Sequence, residues 1–241
     1  MKNSVLSWLD ETAKRLPNKL ALQDISGNIT YQEYRSKSLA IAYKIVELNK
    51  GEMKKPVVVY LEKGKEVLVS FMGVAYSGCF YSPIDTEMPQ SRVDKILEVL
   101  KPEIVITTNK LKTNFEKFNF YGSYIIYEET ICSEEDETAV KPYTEKIIDT
   151  DLLYVLFTSG STGSVIDYTD WVTETFNITQ KDTFGNQAPF YFDNSILDIY
   201  SCMKTGATLN IIPKKLFFQP VPLLEYIKYN KINTIFWVPS A

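Results

Sequence analysis

The sequence predicts an α/β fold with largely parallel sheets and helices on both faces. Two observations carry the prediction. Short apolar, often β-branched runs alternate with segments of helical period through most of the 241 residues. That alternation builds strand–helix–strand units, whose parallel strands are buried on both faces. In addition, an apolar run from Leu152 to Phe157 ends in "TSGSTG", four hydroxyl residues and two glycines at 158–163. A flexible, donor-rich loop after a strand is where an open α/β sheet meets its ligands.

The elements follow in order. Leu6, Leu9, Ala13 and Leu16 keep helical spacing, and Pro17 stops that helix. "ITYQEYRSKSLAIAYKIVEL" reads as a short strand and then a helix with Leu39, Ala42, Tyr43 and Val46 on one face. "PVVVYL" is a buried strand. The uncharged stretch Val67–Ile84 nearly reaches transmembrane length, but Ser70, Gly73, Ser77, Gly78, Ser82 and Pro83 interrupt it. A buried helix followed by a strand fits better than a membrane span. Ser91 reads as the N-cap of a helix carrying Val93, Ile96, Leu97 and Leu100. "EIVITT" and "YIIY" read as strands, and the acidic stretch 128–137 as a solvated connector. Beyond the glycine-rich loop, a helix with Tyr168, Trp171, Val172 and Thr175 on one face precedes a strand in "DTFGNQAPF". Ile196, Ile199, Tyr200 and Met203 mark another helix, closed by Gly206. A strand in "ATLNIIP", a helix with Leu224 and Ile227, and a final strand in "INTIFWVP" complete the chain.

Composition narrows the chemistry. Hydrophobic residues make up 45% and charged residues 23%, as in a soluble globular protein. Twenty-six basic against 30 acidic groups leave a net charge of −4, with no basic run that would serve nucleic acid. Three scattered cysteines argue against a disulfide framework and for a reducing cytoplasm. The N-terminus has too short an apolar core for a signal peptide. There is no histidine. That removes Ser-His-Asp and Cys-His nucleophiles, histidine metal sites and the commonest general base.

The loop itself admits two readings. Glycines let backbone N–H groups converge on an anion, the hydroxyls add donors, and the next helix adds its positive end, which makes a phosphate cradle. A plain Ser/Gly turn is the other reading. The loop is not of the GxxxxGK[ST] type, because no lysine follows the second glycine.

As a whole motif, "YVLFTSGSTG" resembles the signature loop of the AMP-forming adenylating enzymes: acyl-CoA synthetases, luciferases and amino-acid adenylation domains. Other stretches agree in order. "ITYQEYRSKSLAIAYKI" is similar to the family's early LTYxEL region, and "MGVAYSGCFYSPIDTEMPQSRVDKILEVLKPEIVITT" to its KAGGAYVPIDPxxPxxR segment. "NQAPFYFDNSILDIY" resembles its FDxS substrate-pocket motif, in the form closest to the D-alanine–carrier-protein ligase branch. The resemblance spans essentially residues 1–241 as a partial N-terminal adenylation domain, with the mobile C-terminal domain and its catalytic lysine absent. There is one local departure. The family loop continues with x-Pro-Lys-Gly and a strand, whereas "SVIDYTDW" follows Gly163 at once, so about ten residues are missing between loop and helix. The expectation is a mobile segment left out, with its flanks joined.

The resemblance implies that a substrate carboxylate attacks the α-phosphate of ATP, pyrophosphate leaves, and a thiol then takes the acyl group. No histidine is needed, since the nucleophile is already an anion; preorganised donors and Mg²⁺ carry the charge. By resemblance, Thr158, Ser159, Gly160, Ser161, Thr162 and Gly163 bind the ATP phosphates and departing pyrophosphate, and Asp193, Asn194 and Leu197 bind the amino acid. Asp193 stands in apolar company and is costly there unless paired. Read from the residues alone it is a helix N-cap; by resemblance it pairs with the substrate's α-ammonium. The expected activity is ATP-dependent amino-acid adenylation and thioester transfer to the phosphopantetheine of a carrier protein. The alternatives are an acyl-CoA ligase for a fatty or aryl acid, and a non-catalytic protein that keeps the fold. With no catalytic residue and no assigned metal ligand among its 241 residues, the chain by itself is expected to be inactive.

Overall fold

The computed structural model describes residues 4–132, 136–157 and 164–238. In chain order, helix α1 (Val5–Arg15) leads to the hairpin strands β1 (Leu20–Asp24) and β2 (Gly27–Thr30) and the long helix α2 (Tyr31–Leu48). β3 (Pro56–Val59), α3 (Lys65–Tyr76), β4 (Phe80–Pro83), α4 (Gln90–Leu100) and β5 (Ile104–Thr107) follow. Then come α5 (Asn109–Phe115), β6 (Ser123–Ile126), α6 (Tyr127–Thr130) and α7 (Glu137–Thr144). The last part holds α8 (Val165–Thr175), β7 (Thr183–Asn186), α9 (Ser195–Thr205), β8 (Thr208–Ile211), α10 (Pro220–Tyr229) and β9 (Thr234–Ile235). The mixed α/β class with mostly parallel strands is as predicted.

The chain divides into two compact units, one of residues 1–34 and 161–241, the other of 35–160. The second unit holds an all-parallel sheet in the order β4-β3-β5-β6. Its core packs Val58, Tyr60 and Val105 against Val93, Ile96 and Leu97 of α4 and Leu111 and Phe115 of α5. Phe115 sits at the centre of an aromatic cluster, with the Tyr60, Phe118 and Phe120 rings 4.8, 5.2 and 5.7 Å away, all edge-on. Such edge-to-face contacts suit the ring quadrupole and add to the burial energy.

In this unit the predicted strand Leu152–Phe157 does not form. The segment makes one parallel bridge, Tyr81 to Tyr154, with Tyr81 N–H donating to Leu153 O and Val155 N–H to Tyr81 O. The next bond in a parallel ladder would have to come from the N–H of residue 83, and Pro83 has none. Pairing therefore does not continue past Val155; Leu152, ahead of the bridge, is exposed. Two smaller expectations also change. Helix α4 starts two residues earlier than an N-cap at Ser91 would allow, with Pro89 at the N-cap accepting from Arg92 and Val93 N–H. The acidic connector carries helical structure at both ends: α6 occupies 127–130, and the Asp136 carboxylate caps α7 by accepting from Ala139 N–H at 3.0 Å.

The first unit holds a five-stranded sheet, β2-β1-β8-β7-β9, parallel except for the β1–β2 hairpin. β1, absent from the sequence reading, pairs with β8 through Leu22 and Gln23. Helix α9 runs over this sheet with Ser195 to Met203 all buried. It ends as predicted at Gly206, whose φ of 85° lies in the left-handed region that favours glycine. Thr12 of α1 donates to Met203 O at 2.9 Å. The Tyr31 hydroxyl lies 2.6 Å from both Cys202 O and Ala207 O, on either side of the Gly206 turn. The final strand is shorter than predicted, two residues, because Trp237 turns back: its indole N–H donates to Gly185 O at 2.7 Å and its ring packs on Phe217.

Candidate functional site

β7 ends at Asn186, and the connection 187–194 leads into α9. This places "FDNS" at the carboxyl end of a parallel strand and the amino end of a helix, a position that suits ligand binding in an open α/β sheet. Asp193 and Asn194 are exposed here. Asp193 lies outside the helix: the N-cap is Asn194, whose side chain makes no capping bond. Asp193 thus avoids the cost expected of a carboxylate in apolar company by standing at the surface. The turn beneath it is held locally, Ser195 Oγ donating to Phe192 O at 2.7 Å and Ile196 N–H to Asp193 O at 2.9 Å. Leu197, one turn into the helix, is 7% exposed.

Two further residues belong to this place. Asp198, wholly buried, accepts a 2.8 Å hydrogen bond from the Asn186 side-chain amide, also wholly buried. Tyr168 of α8 is 38% exposed. Burial first, then the negative charge of Asp198 and of Asp193, raises its phenol above the ordinary tyrosine range. Tyr168 therefore lies within electrostatic reach of both carboxylates. Burial, with Asp198 adding to it, also pushes the Cys202 thiol well up, so this cysteine is inert.

Helix α8 docks on α9 through Lys204, whose ammonium donates to Asp170 Oδ1 at 2.7 Å and to Thr173 Oγ1 at 2.9 Å. This turns α8 away from the predicted face. Thr169, Val172 and Thr173 are buried, while Trp171 is 57% exposed. Thr173 can face the core because its hydroxyl has backbone to bond: Thr173 Oγ1 donates to Thr169 O at 2.8 Å.

The phosphate-loop assignment, Thr158 to Gly163, lies outside the described residues, and so does the junction with Ser164. Its flanks are held at both ends. Arg92 donates to Phe157 O at 3.0 Å, and Ser164 caps α8 by accepting from Asp167 N–H at 3.2 Å. Among the described residues no three His, Cys, Asp or Glu side chains come together to hold a metal ion. No helix among them is long and apolar enough to cross a membrane.

Comparison with known proteins identifies the family. A family model described as "AMP-binding enzyme" matches residues 9–241. The D-alanine–D-alanyl carrier protein ligase of Staphylococcus aureus (strain JH9) is 29% identical over 98% of this chain and 48% of its own length. The ligase of the same name from Staphylococcus haemolyticus (strain JCSC1435) matches with the same identity and the same two shares. The chain thus spans about half the length of the curated relatives it matches. Among solved structures, the nonribosomal peptide synthetase FmoA3 superposes with a TM-score of 0.82 at 22% identity, over 97% of this chain and 25% of that one. VinN in complex with L-aspartate gives 0.81 at 18% identity, over 99% and 68%. At these identities the superpositions speak for the fold alone.

Proposed function

The chain belongs to the AMP-binding enzyme family, and we propose that the full-length protein activates an amino acid, D-alanine foremost, for transfer to a carrier protein. In the first half-reaction a carboxylate oxygen of the amino acid bonds to the α-phosphorus of ATP, and the bond to pyrophosphate breaks. In the second, the phosphopantetheine thiol of the carrier gives up its proton, its sulfur bonds to the acyl carbon, and AMP leaves.

The observation that carries the amino-acid assignment is Asp193, an exposed carboxylate at the entry to α9 and within electrostatic reach of Tyr168. A carboxylate there neutralises an α-ammonium; a fatty or aryl acid has none to offer. The names of the curated relatives support the same substrate class. Asn194 and Leu197 would contact the substrate's side chain, and Thr158, Ser159, Gly160, Ser161, Thr162 and Gly163 the ATP phosphates. The described residues form no metal cage, so Mg²⁺ would arrive held largely by the nucleotide phosphates, as it commonly does. The place of action would be the cytoplasm, where ATP is found.

The test is ATP–pyrophosphate exchange by the full-length protein with D- and L-amino acids and with fatty and aryl acids. Exchange dependent on a small amino acid is expected. Exchange supported by fatty or aryl acids alone would overturn the assignment, and none with any acid would favour a protein that only keeps the fold.

A further inference from the structure

On the reading above Asp193 meets the substrate's ammonium, and the connection that carries Asp193 has to be held in place. We propose that the buried Asn186–Asp198 pair is a positioning pair that fixes this connection and thereby sets the affinity for the amino acid.

Asn186 is the last residue of β7 and Asp198 the fourth of α9. Their 2.8 Å bond closes the loop from the end of the strand into the first turn of the helix, with Asp193 between them. Within the connection, turns spanning three residues, Phe192 to Pro189, Ser195 to Phe192 and Ile196 to Asp193, shape the backbone locally. The Asn186–Asp198 bond reaches further, from the end of the strand to the helix.

The chemistry of the pair is costly for a merely structural tie. A carboxylate taken wholly out of water needs strong compensation, and an apolar pair of similar volume commonly supports a fold as well or better. Asp198 sits in "ILDIY", between residues that are themselves core. What a carboxylate–amide bond adds over apolar packing is direction, because it fixes the angle as well as the distance. Tyr168 is in electrostatic reach of Asp198 and of Asp193 alike, and in sequence Asp193 lies between the two members of the buried pair.

The proposal rests on the amino-acid reading, and the experiment separates the two. In the full-length protein, Asp193→Asn, Asp198→Asn and the exchanged pair Asn186→Asp with Asp198→Asn are compared by pyrophosphate exchange, with thermal unfolding as the folding control. A hydrogen bond to a charged group contributes about 1.5–3 kcal/mol, so Asp198→Asn should raise the amino-acid KM about 10-fold or more. The KM for ATP should stay within about twofold, a split that general loosening of the fold would not give. The exchanged pair restores a carboxylate–amide bond and should bring the amino-acid KM most of the way back. If Asp193→Asn raises the amino-acid KM and Asp198→Asn does not, the positioning role is wrong and the site assignment stands. Equal losses toward ATP and amino acid with Asp198→Asn would make the pair structural only. If Asp193→Asn has no effect, the ammonium assignment itself falls, and the positioning role with it.

Discussion

Replacing Tyr31 by phenylalanine removes the oxygen of a buried hydroxyl of the first unit that meets two backbone carbonyls. Tyr31 is 1% exposed, and its hydroxyl lies 2.6 Å from Cys202 O and from Ala207 O, with its single proton shared between them. Those carbonyls bracket the left-handed turn at Gly206 that ends α9 and starts β8. Cys202 O keeps a second donor, the Gly206 N–H at 2.9 Å, so the loss falls mainly on one contact. Removing a partner from a buried carbonyl costs about 1–3 kcal/mol, and a value near 2 kcal/mol at neutral pH is expected. Burial, before any charge effect, raises the Tyr31 pKa well above the usual value. The sign follows from linkage. The native state holds the phenol proton to higher pH than the unfolded chain does, so this stability is complete below about pH 10 and lost as pH rises past it. One such group with an unfolded pKa near 10 gives up about 1.4 kcal/mol by pH 11. Urea unfolding of wild type and Tyr31→Phe at pH 7 and at pH 11 measures both numbers. The gap should be near 2 kcal/mol at pH 7 and about 1.4 kcal/mol smaller at pH 11, with unchanged urea dependence. A variant as stable as wild type at pH 7, or a gap that widens with pH, would refute this account of the turn.

Three further outcomes are expected. Gly206→Ala forces a left-handed φ of 85° on alanine, and its Cβ would stand 2.7 Å from Leu16 Cδ1; a loss of about 1–3 kcal/mol in urea unfolding is expected, mostly backbone strain because the leucine tip can move. Leu197→Ala should cost about 2–5 kcal/mol if the leucine packs only in the core, and less if it also lines the substrate pocket; in the second case pyrophosphate exchange should extend to larger amino acids. Arg35→Ala removes a two-pronged contact to Glu137, at 2.6 and 3.0 Å, which chiefly by hydrogen bonding holds the Glu137 carboxyl below its ordinary range. Both side chains are reached by water, so the loss at neutral pH should stay under about 1 kcal/mol; it should shrink as pH falls below about 4.3, where the unfolded carboxyl takes up its proton, and be gone once the native carboxyl, held lower, is protonated too.

How far the sequence carried these results depended on what kind of signal each element had. Helix α9 was legible from its apolar spacing and the glycine at its end, and the proposed substrate-binding residues Asp193, Asn194 and Leu197 fall at its start. The strand expected at Leu152–Phe157 was not, because its fate rests on a missing donor in Pro83, about seventy residues away in the chain. The face of α8 was misjudged by hydrophobicity, since Lys204 pulls Asp170 and Thr173 inward and leaves Trp171 at the surface. α7 carries Pro142 inside it, which reads as a breaker. The Asn186–Asp198 pair did leave a trace that could have been read: Asp198 lies within an apolar run with no basic residue three or four positions away on either side. A buried acid without a helical neighbour to pair with must find its partner on another element.

The central claim is that Asp193 reads the substrate's ammonium. Propionate is alanine without that group, so the ratio of pyrophosphate exchange with D-alanine to that with propionate isolates the contact. The full-length wild-type protein should prefer D-alanine strongly. Truncating one partner of a hydrogen-bonded charge pair costs about 2–5 kcal/mol, so Asp193→Asn should narrow the preference by roughly 30-fold or more. A ratio that is the same in wild type and Asp193→Asn would contradict the claim.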